Sequence, residues 1–175
     1  MIRILVADEH AVVREGLKQI VTANQDMVVA GEAKSGQEVL DEISKGHYDV
    51  VLLDISIPGR SWLDVLKELR RILKTEGTIE IWVPDLRKLV QAYLKPSLVA
   101  CDGWYKFNPE KDATKWFNGR LFTYGPGEEN WHRAAFDEEY LRRCLKQAGF
   151  RHTVRLNRPR GYDHKWINLG IAAVK

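Results

Sequence analysis

The chain has 175 residues, of which 45% are hydrophobic and 29% charged, and its formal net charge is +3. This length suits about one domain with a real core, and the composition is that of an ordinary globular protein. The longest apolar runs fall far short of the roughly 18 residues of a membrane span, and Cys101 and Cys144 form no disulfide or metal signature. Because the start of the chain also lacks a signal-peptide pattern, we expect a cytoplasmic protein that does not engage membranes.

The two halves of the chain differ in charge and in aromatic content. Residues 1–77 carry 10 Lys and Arg against 13 Asp and Glu, with only two aromatic residues. Residues 78–175 carry 17 against 11 and hold the other 15 aromatic residues. One domain with an aromatic-rich extension would explain this shift, and so would the joining of two protein lineages.

Short apolar runs alternate with helical periodicity in the first half, which is typical of a parallel α/β sheet. The runs predict strands at Ile2–Ala7, Met27–Ala30 and Tyr48–Leu53. Apolar residues at helical spacing predict a helix after each strand, centred on Leu17, Leu40 and Leu66.

Gly77 precedes a fourth predicted strand, Thr78–Val83, and Pro84-Asp85 opens a helix that Pro96 ends. Residues 97–136 have no clean period, and we expect an irregular connection packed by its own aromatic rings.

The end of the chain has a clear helix followed by two strands. Asp137 is a good N-cap and Gly149 follows the last helical residue. His152–Leu156 and Trp166–Val174 are then predicted to form an antiparallel pair.

Three carboxylates are expected to converge at one edge of the sheet. Asp8 and Glu9 follow the first strand, and Asp54 follows the third, which should lie beside the first. A divalent cation such as Mg²⁺ would offset their repulsion and suit phosphoryl transfer to Asp54. The alternative is that these are loop carboxylates that face water.

The segments MIRILVADEHAVVREGLKQIV, MVVAGEAKSGQEVLDEI and YDVVLLDISIPGRSWLDVLKEL resemble a bacterial response-regulator receiver domain over about residues 1–70. The resemblance implies that Asp54 is the phosphoacceptor. It implies a Mg²⁺ site made by Asp8, Glu9, Asp54 and the backbone carbonyl of Ser56. It also implies a histidine kinase or a small phosphodonor as partner.

Two receiver features are missing. Receivers carry Thr or Ser at the end of strand 4 and Lys at the end of strand 5, whereas strand 4 here reads TIEIWVP. Lys95-Pro96 imitates the Lys-Pro pair, but it follows strand 4 too closely for a crossover helix and a new strand.

From about residue 73 the chain resembles the C-terminal half of a class I S-adenosylmethionine-dependent methyltransferase. The resemblance lies in LKTEGTIEIWVPDLRKLVQAYL, FNGRLFTYGPGEENWHRAAFDEEYLRRCLKQAGF and the closing strands. Glu32 could imitate the acidic residue that binds the donor ribose. The loop ADEHAVV has no glycine and carries two carboxylates, so we expect no S-adenosylmethionine binding.

The basic residues Arg151, His152, Arg155, Arg158 and Arg160 could track nucleic acid phosphates. A charged edge strand, which discourages sheet-to-sheet pairing, is the favoured explanation.

Together these features predict a single hybrid domain, receiver-like over 1 to about 72 and methyltransferase-like over about 73 to 175. Its α/β fold would be a three-layer αβα sandwich around one mostly parallel, doubly wound sheet of order 2-1-3-4-6-5, with only the last strand antiparallel. The function hypothesis is an engineered or recombined scaffold without complete natural activity that keeps the Mg²⁺ pocket. The alternatives are a functional phosphorelay receiver and a methyltransferase.

Overall fold

A computed structural model of the protein describes residues 1–54, 61–96, 111–122, 135–157 and 167–175. The elements of the first part are β1 (Ile2–Ala7), α1 (Ala11–Thr22), β2 (Met27–Ala33), α2 (Gly36–Lys45), β3 (Val50–Leu53) and α3 (Trp62–Ile72). Those of the second part are β4 (Thr78–Pro84), α4 (Leu86–Leu94), α5 (Ala113–Phe122), α6 (Glu138–Gln147), β5 (Arg151–Arg155) and β6 (Asn168–Val174). The chain divides into two compact units, Met1–Glu68 and Leu69–Lys175. Within the described residues, every helix is too short or too polar to cross a bilayer.

β1 forms the centre of the first sheet, which has the order β2-β1-β3 with both pairings parallel. Its side chains alternate between two apolar clusters. Ile4 and Val6 pack with Val21 of α1, whereas Leu5 and Ala7 pack with Val39 of α2. Because successive strand residues point to opposite faces, the buried apolar run Ile4–Ala7 of β1 indicates a sheet covered by helices on both sides.

The second sheet has the order β4-β6-β5, and β6 runs antiparallel to both neighbours. β4 and β6 pair continuously from Thr78 opposite Val174 to Pro84 opposite Asn168. Away from this ladder, Trp116 of α5 is 1% exposed and packs with Leu89 and Ala92 of α4.

The prediction of an α/β fold is confirmed, but the prediction of one six-stranded sheet is wrong for the described strands, which form two sheets of three. Each predicted half-order, 2-1-3 and 4-6-5, is present. β4 pairs with β6 along all seven of its residues, as the predicted order requires, but it forms no ladder with the four-residue strand β3. The recombination hypothesis predicted one continuous sheet, and the two sheets of the described strands do not support it.

The prediction for residues 97–136 missed the helix α5, which lies in the described stretch 111–122. Gly119 in its interior and the absence of a regular apolar stripe hide it, since tertiary packing of Trp116 rather than helix propensity stabilises it. The prediction of a helix between Asp137 and Gly149 is confirmed. The Asp137 carboxylate accepts a hydrogen bond from the Tyr140 backbone N–H (2.8 Å), and Gly149 has a left-handed φ of 90°.

Two glycines of the first unit predict opposite effects on stability. A Cβ on Gly31 would collide with Tyr48 Oη, which donates a hydrogen bond to Glu42 (2.9 Å), whereas a Cβ on Gly16 in α1 would meet nothing within 4 Å. We expect Gly31→Ala to lower the free energy of unfolding by about 1–3 kcal/mol, as overpacking does. Gly16→Ala should raise it by roughly 0.5–1 kcal/mol through helix propensity. Urea unfolding of both variants checks this, and equal effects would contradict it.

Candidate metal centre

The parallel ladders of the first sheet place two carboxylates at its carboxyl edge. The Asp8 backbone N–H donates to the Ala33 carbonyl at 3.1 Å, and the Asp54 N–H donates to the Ala7 carbonyl at 2.8 Å. The backbone of Asp8 thus extends the pairing of β1 with β2 by one hydrogen bond, and the backbone of Asp54 does the same for β3 with β1. The predicted convergence of Asp8 and Asp54 follows directly from the register of β1 with β2 and β3.

His10 completes a group of three ligand-type side chains with these aspartates. One ligand atom from each of Asp8, His10 and Asp54 lies within 4.8 Å of the others. The Asp8 Oδ1 atom accepts a hydrogen bond from the His10 backbone N–H at 2.7 Å and lies 3.0 Å from the His10 ring Nδ1. Asp8 is 7% exposed, so its carboxylate is held mainly by these contacts.

Glu9 and the loop around it are fixed by a neighbouring cation. The Arg14 guanidinium donates to the backbone carbonyls of Asp8 (2.8 Å) and Glu9 (3.3 Å). The Glu9 Oε1 and His10 Nε2 atoms are buried and have no hydrogen-bond partner within the described part of the chain. Buried polar atoms are normally satisfied by protein, water or an ion, so these two mark the loop as a place for a further polar group.

Of the three residues in this group, sequence reasoning named Asp8 and Asp54 as ligands and did not name His10. The signal was present, because His10 is two residues after Asp8 and immediately precedes α1. Glu9 was predicted as a ligand but is absent from the three-residue group, and its role stays a prediction. Ser56, the predicted source of a carbonyl ligand, lies outside the described residues.

Glu32, near the end of β2, forms ion pairs with two cations of α1. Its carboxylate lies 2.7 Å from Lys18 Nζ and 3.6 Å from Arg14 Nε. The hydrogen bond from Lys18 lowers the pKa of Glu32, and the charge of Arg14 lowers it further. The residue predicted to imitate a ribose ligand therefore serves as an ion-pair partner for α1.

Comparison with known proteins shows what the first part of the chain is similar to. The family model for the response regulator receiver domain matches residues 4–83, which is under half of the chain. Nitrate/nitrite response regulator protein NarL of Escherichia coli K12 is 36% identical over 67 residues, covering 38% of this chain and 31% of NarL. The transcriptional regulatory protein YxjL of Bacillus subtilis is 33% identical over 89 residues, covering 51% of this chain and 41% of YxjL.

The chain thus spans 31% of the length of NarL and 41% of that of YxjL, under half of each relative. Among solved structures, a possible exported protein from Bordetella parapertussis is 14% identical, with a TM-score of 0.51, and the match covers 98% of this chain and 52% of that protein. This likeness concerns the fold. The carbon methyltransferase CurJ is also similar, with 16% identity and a TM-score of 0.45, over 99% of this chain and 48% of CurJ.

The departures from the receiver pattern have a structural counterpart in the second unit. At the end of β4, where a receiver hydroxyl is expected, the buried carboxylate of Asp85 accepts hydrogen bonds from Arg87 N–H (3.0 Å) and Lys88 N–H (3.4 Å) and caps α4. Lys95 is the exposed residue that ends α4 and does not follow a strand.

The ion pairs of Glu32 predict a pH-dependent contribution to stability. Because its folded-state pKa is lowered, the contribution is present above the unfolded-state pKa of about 4.3 and is lost as the pH falls through the folded value. We expect Glu32→Gln to reduce the free energy of unfolding by less than about 1 kcal/mol at neutral pH, since the side chain is 40% exposed, and by less still in acid. Urea unfolding across this range is the measurement. A difference that persists unchanged in acid would contradict the assignment.

Proposed function

We propose that the chain is a hybrid of a receiver-type first part and a methyltransferase-like second part, engineered or recombined, without the complete natural activity of either. Its retained chemistry is a metal-dependent phosphoacceptor site at Asp54. The observation that carries this proposal is the convergence of Asp8, His10 and Asp54 at the carboxyl edge of a parallel sheet. The match of residues 4–83 to receiver domains supports the same chemistry.

Asp54 would act as the nucleophile. One oxygen of its carboxylate would form a bond to the phosphorus of a small phosphodonor or a histidine kinase phosphohistidine, and the bond from phosphorus to the leaving group would break. The product is an acyl phosphate on Asp54. The Asp54 backbone N–H is already bonded to Ala7, which fixes the position from which the side chain acts.

The residues present fit a divalent cation of the kind that receivers use. The two carboxylates supply hard oxygen ligands, and buried Glu9 Oε1 is a further oxygen without a partner among the described residues. We propose Asp8, Glu9 and Asp54, with the Ser56 carbonyl, as the residues that would hold Mg²⁺. When bound, Mg²⁺ would neutralise the charge that accumulates on the phosphoryl oxygens.

The phosphorylated state of this site would be less durable than in an intact receiver. The hydroxyl and the lysine that contact the phosphoryl group in receivers have no sequence equivalents here. Hydrogen bonds to charged groups contribute about 1.5–3 kcal/mol each. Loss of both would weaken the hold on a phosphoryl group while leaving the metal-binding carboxylates intact.

The first test uses Mg²⁺ and beryllofluoride, a mimic of the phosphoryl group. We expect Mg²⁺ to bind weakly and beryllofluoride to occupy Asp54 with an affinity at least about tenfold lower than in the NarL receiver. Calorimetry measures the metal, and fluorine NMR measures the adduct. Mass spectrometry after incubation with acetyl phosphate tests for the covalent product.

Asp54→Asn should abolish the adduct and the mass shift, whereas Asp41→Asn, the same change on the exposed face of α2, should preserve both. A Mg²⁺ response that is identical in the Asp54→Asn and wild-type chains would remove the proposed site. An adduct as durable as that of NarL would instead favour a functional phosphorelay receiver.

The second test concerns the methyl donor, for which we expect no useful affinity. S-adenosylmethionine would need backbone amides at close approach after β1, where ADEHAVV offers side chains and negative charge. One ribose hydrogen bond to Glu32 would contribute at most about 3 kcal/mol, whereas micromolar binding needs about 8 kcal/mol. Calorimetry with the donor at roughly millimolar concentration checks this. Saturable heat with a micromolar dissociation constant would favour the methyltransferase alternative.

A further inference from the structure

The second unit contains a cavity of about 520 Å³ between the C-terminal half of α6 and the first residues of β5. Four of its lining residues are Arg142, Arg143, Lys146 and Arg151, and His152 and Thr153 also line it. None of the lining residues among those the structure describes is acidic. The cavity is broadly open to solvent, and its volume lies within the range of small-molecule pockets, roughly 300–1,000 Å³.

The path of β5 gives the cavity its lining. Arg151, His152 and Thr153 are consecutive, yet all three line the same space. A regular strand would send Arg151 and His152 to opposite faces. Here the pairing with β6 shifts register between Arg151 and Val154, and His152 adopts a left-handed φ of 48°. The bulge thus turns neighbouring polar side chains toward one cavity, although the left-handed backbone at His152 is strained.

The four cations of the cavity differ in the contacts that they already make with the protein. Arg142 is fixed by Glu138 (2.7 and 2.9 Å) and by the Thr153 carbonyl (2.7 Å). Arg143 lies over the ring of Tyr140, 5.3 Å from its centroid. Lys146 and Arg151 are exposed and make no ion pair within the described residues. Two cations are therefore available to a ligand beside a third that is held rigidly.

A structural role accounts for only part of this arrangement. Lys146 lies in the last turn of α6, where a cation interacts favourably with the helix dipole. The dipole does not explain the placement of Arg151 and His152, which belong to β5. An edge strand needs charge on its exposed face, but not a bulge that directs successive side chains into one cavity.

We propose that this cavity binds a small phosphate-bearing anion, independently of the metal centre in the first unit. Arg and Lys supply several N–H donors to the oxygens of a phosphate, and such charge-assisted bonds are roughly twice as strong as neutral ones. Buried Phe150 adds an apolar portion to the lining, which suits a phosphate ester with an organic part. The ligand class is a phosphate monoester or diphosphate.

Inorganic pyrophosphate is the probe, titrated into the full chain in metal-free buffer so that the metal centre does not contribute. Calorimetry gives the affinity, and backbone amide NMR shifts give the location. We expect saturable binding with shifts at residues 142–153, and a loss of affinity of about tenfold or more in Arg151→Gln and in Lys146→Gln. Lys45→Gln, the same charge change on exposed α2, and Asp54→Asn should bind as the wild type does.

Equal affinities in Arg151→Gln and Lys45→Gln would overturn the site, because the effect would then depend on net charge alone. Citrate that binds as tightly as pyrophosphate would overturn the phosphate class. A single-stranded oligonucleotide that binds through residues 142–153 and is not displaced by pyrophosphate would replace the small ligand with nucleic acid. Circular dichroism of each variant confirms that the fold is retained, as expected for exposed side chains.

Discussion

The acidic site depends on the burial of β1 on both faces. Each face of this strand packs against a different helix, and each edge is paired with a parallel strand. A slip of one residue would exchange Ile4 and Val6 with Leu5 and Ala7 between two closely packed clusters, so the fit of these side chains disfavours it. The register in turn fixes the residue at which the strand ends. Asp8 is buried because the sheet places it there.

Burying the Asp8 carboxylate beside a second carboxylate is costly unless positive groups lie nearby. α1 supplies them. Its N-terminal end begins directly after His10, so the positive end of the helix dipole lies beside the acidic edge. Arg14, one turn into α1, holds the loop carbonyls of Asp8 and Glu9. The helix that covers one face of β1 therefore also stabilises the charge at its end.

The sequence predicted those parts of the molecule whose structure is determined by neighbouring residues. The bounds of β1, the Asp137 cap and the left-handed Gly149 all follow from local patterns. α5 could not be found in this way, because Trp116 is buried by contacts with Leu89 and Ile167, which are distant in sequence.

The candidate metal centre shows the same division. Asp8 and Asp54 could be paired because the carboxyl ends of adjacent parallel strands share an edge. The part played by His10 depends on how the chain turns from β1 into α1. The acidic residues alone do not determine that turn. The bulge at His152 is likewise invisible in a sequence that reads as a simple charged strand, since it arises from pairing with β6.

Sequence similarity assigns β4 to the first part of the chain, whereas its strand pairing assigns it to the second. The receiver match continues to residue 83, at the end of this strand, yet β4 belongs to the compact unit that begins at Leu69 and pairs with β6. The strand can serve either lineage, because the pattern TIEIWVP is only an alternating apolar run. What decides its pairing is the partner: β6 buries Leu169, Ile171 and Ala173 and needs a neighbour on each edge. If two lineages were joined here, the join is structurally tolerated because the strand at the boundary completes the sheet that follows it.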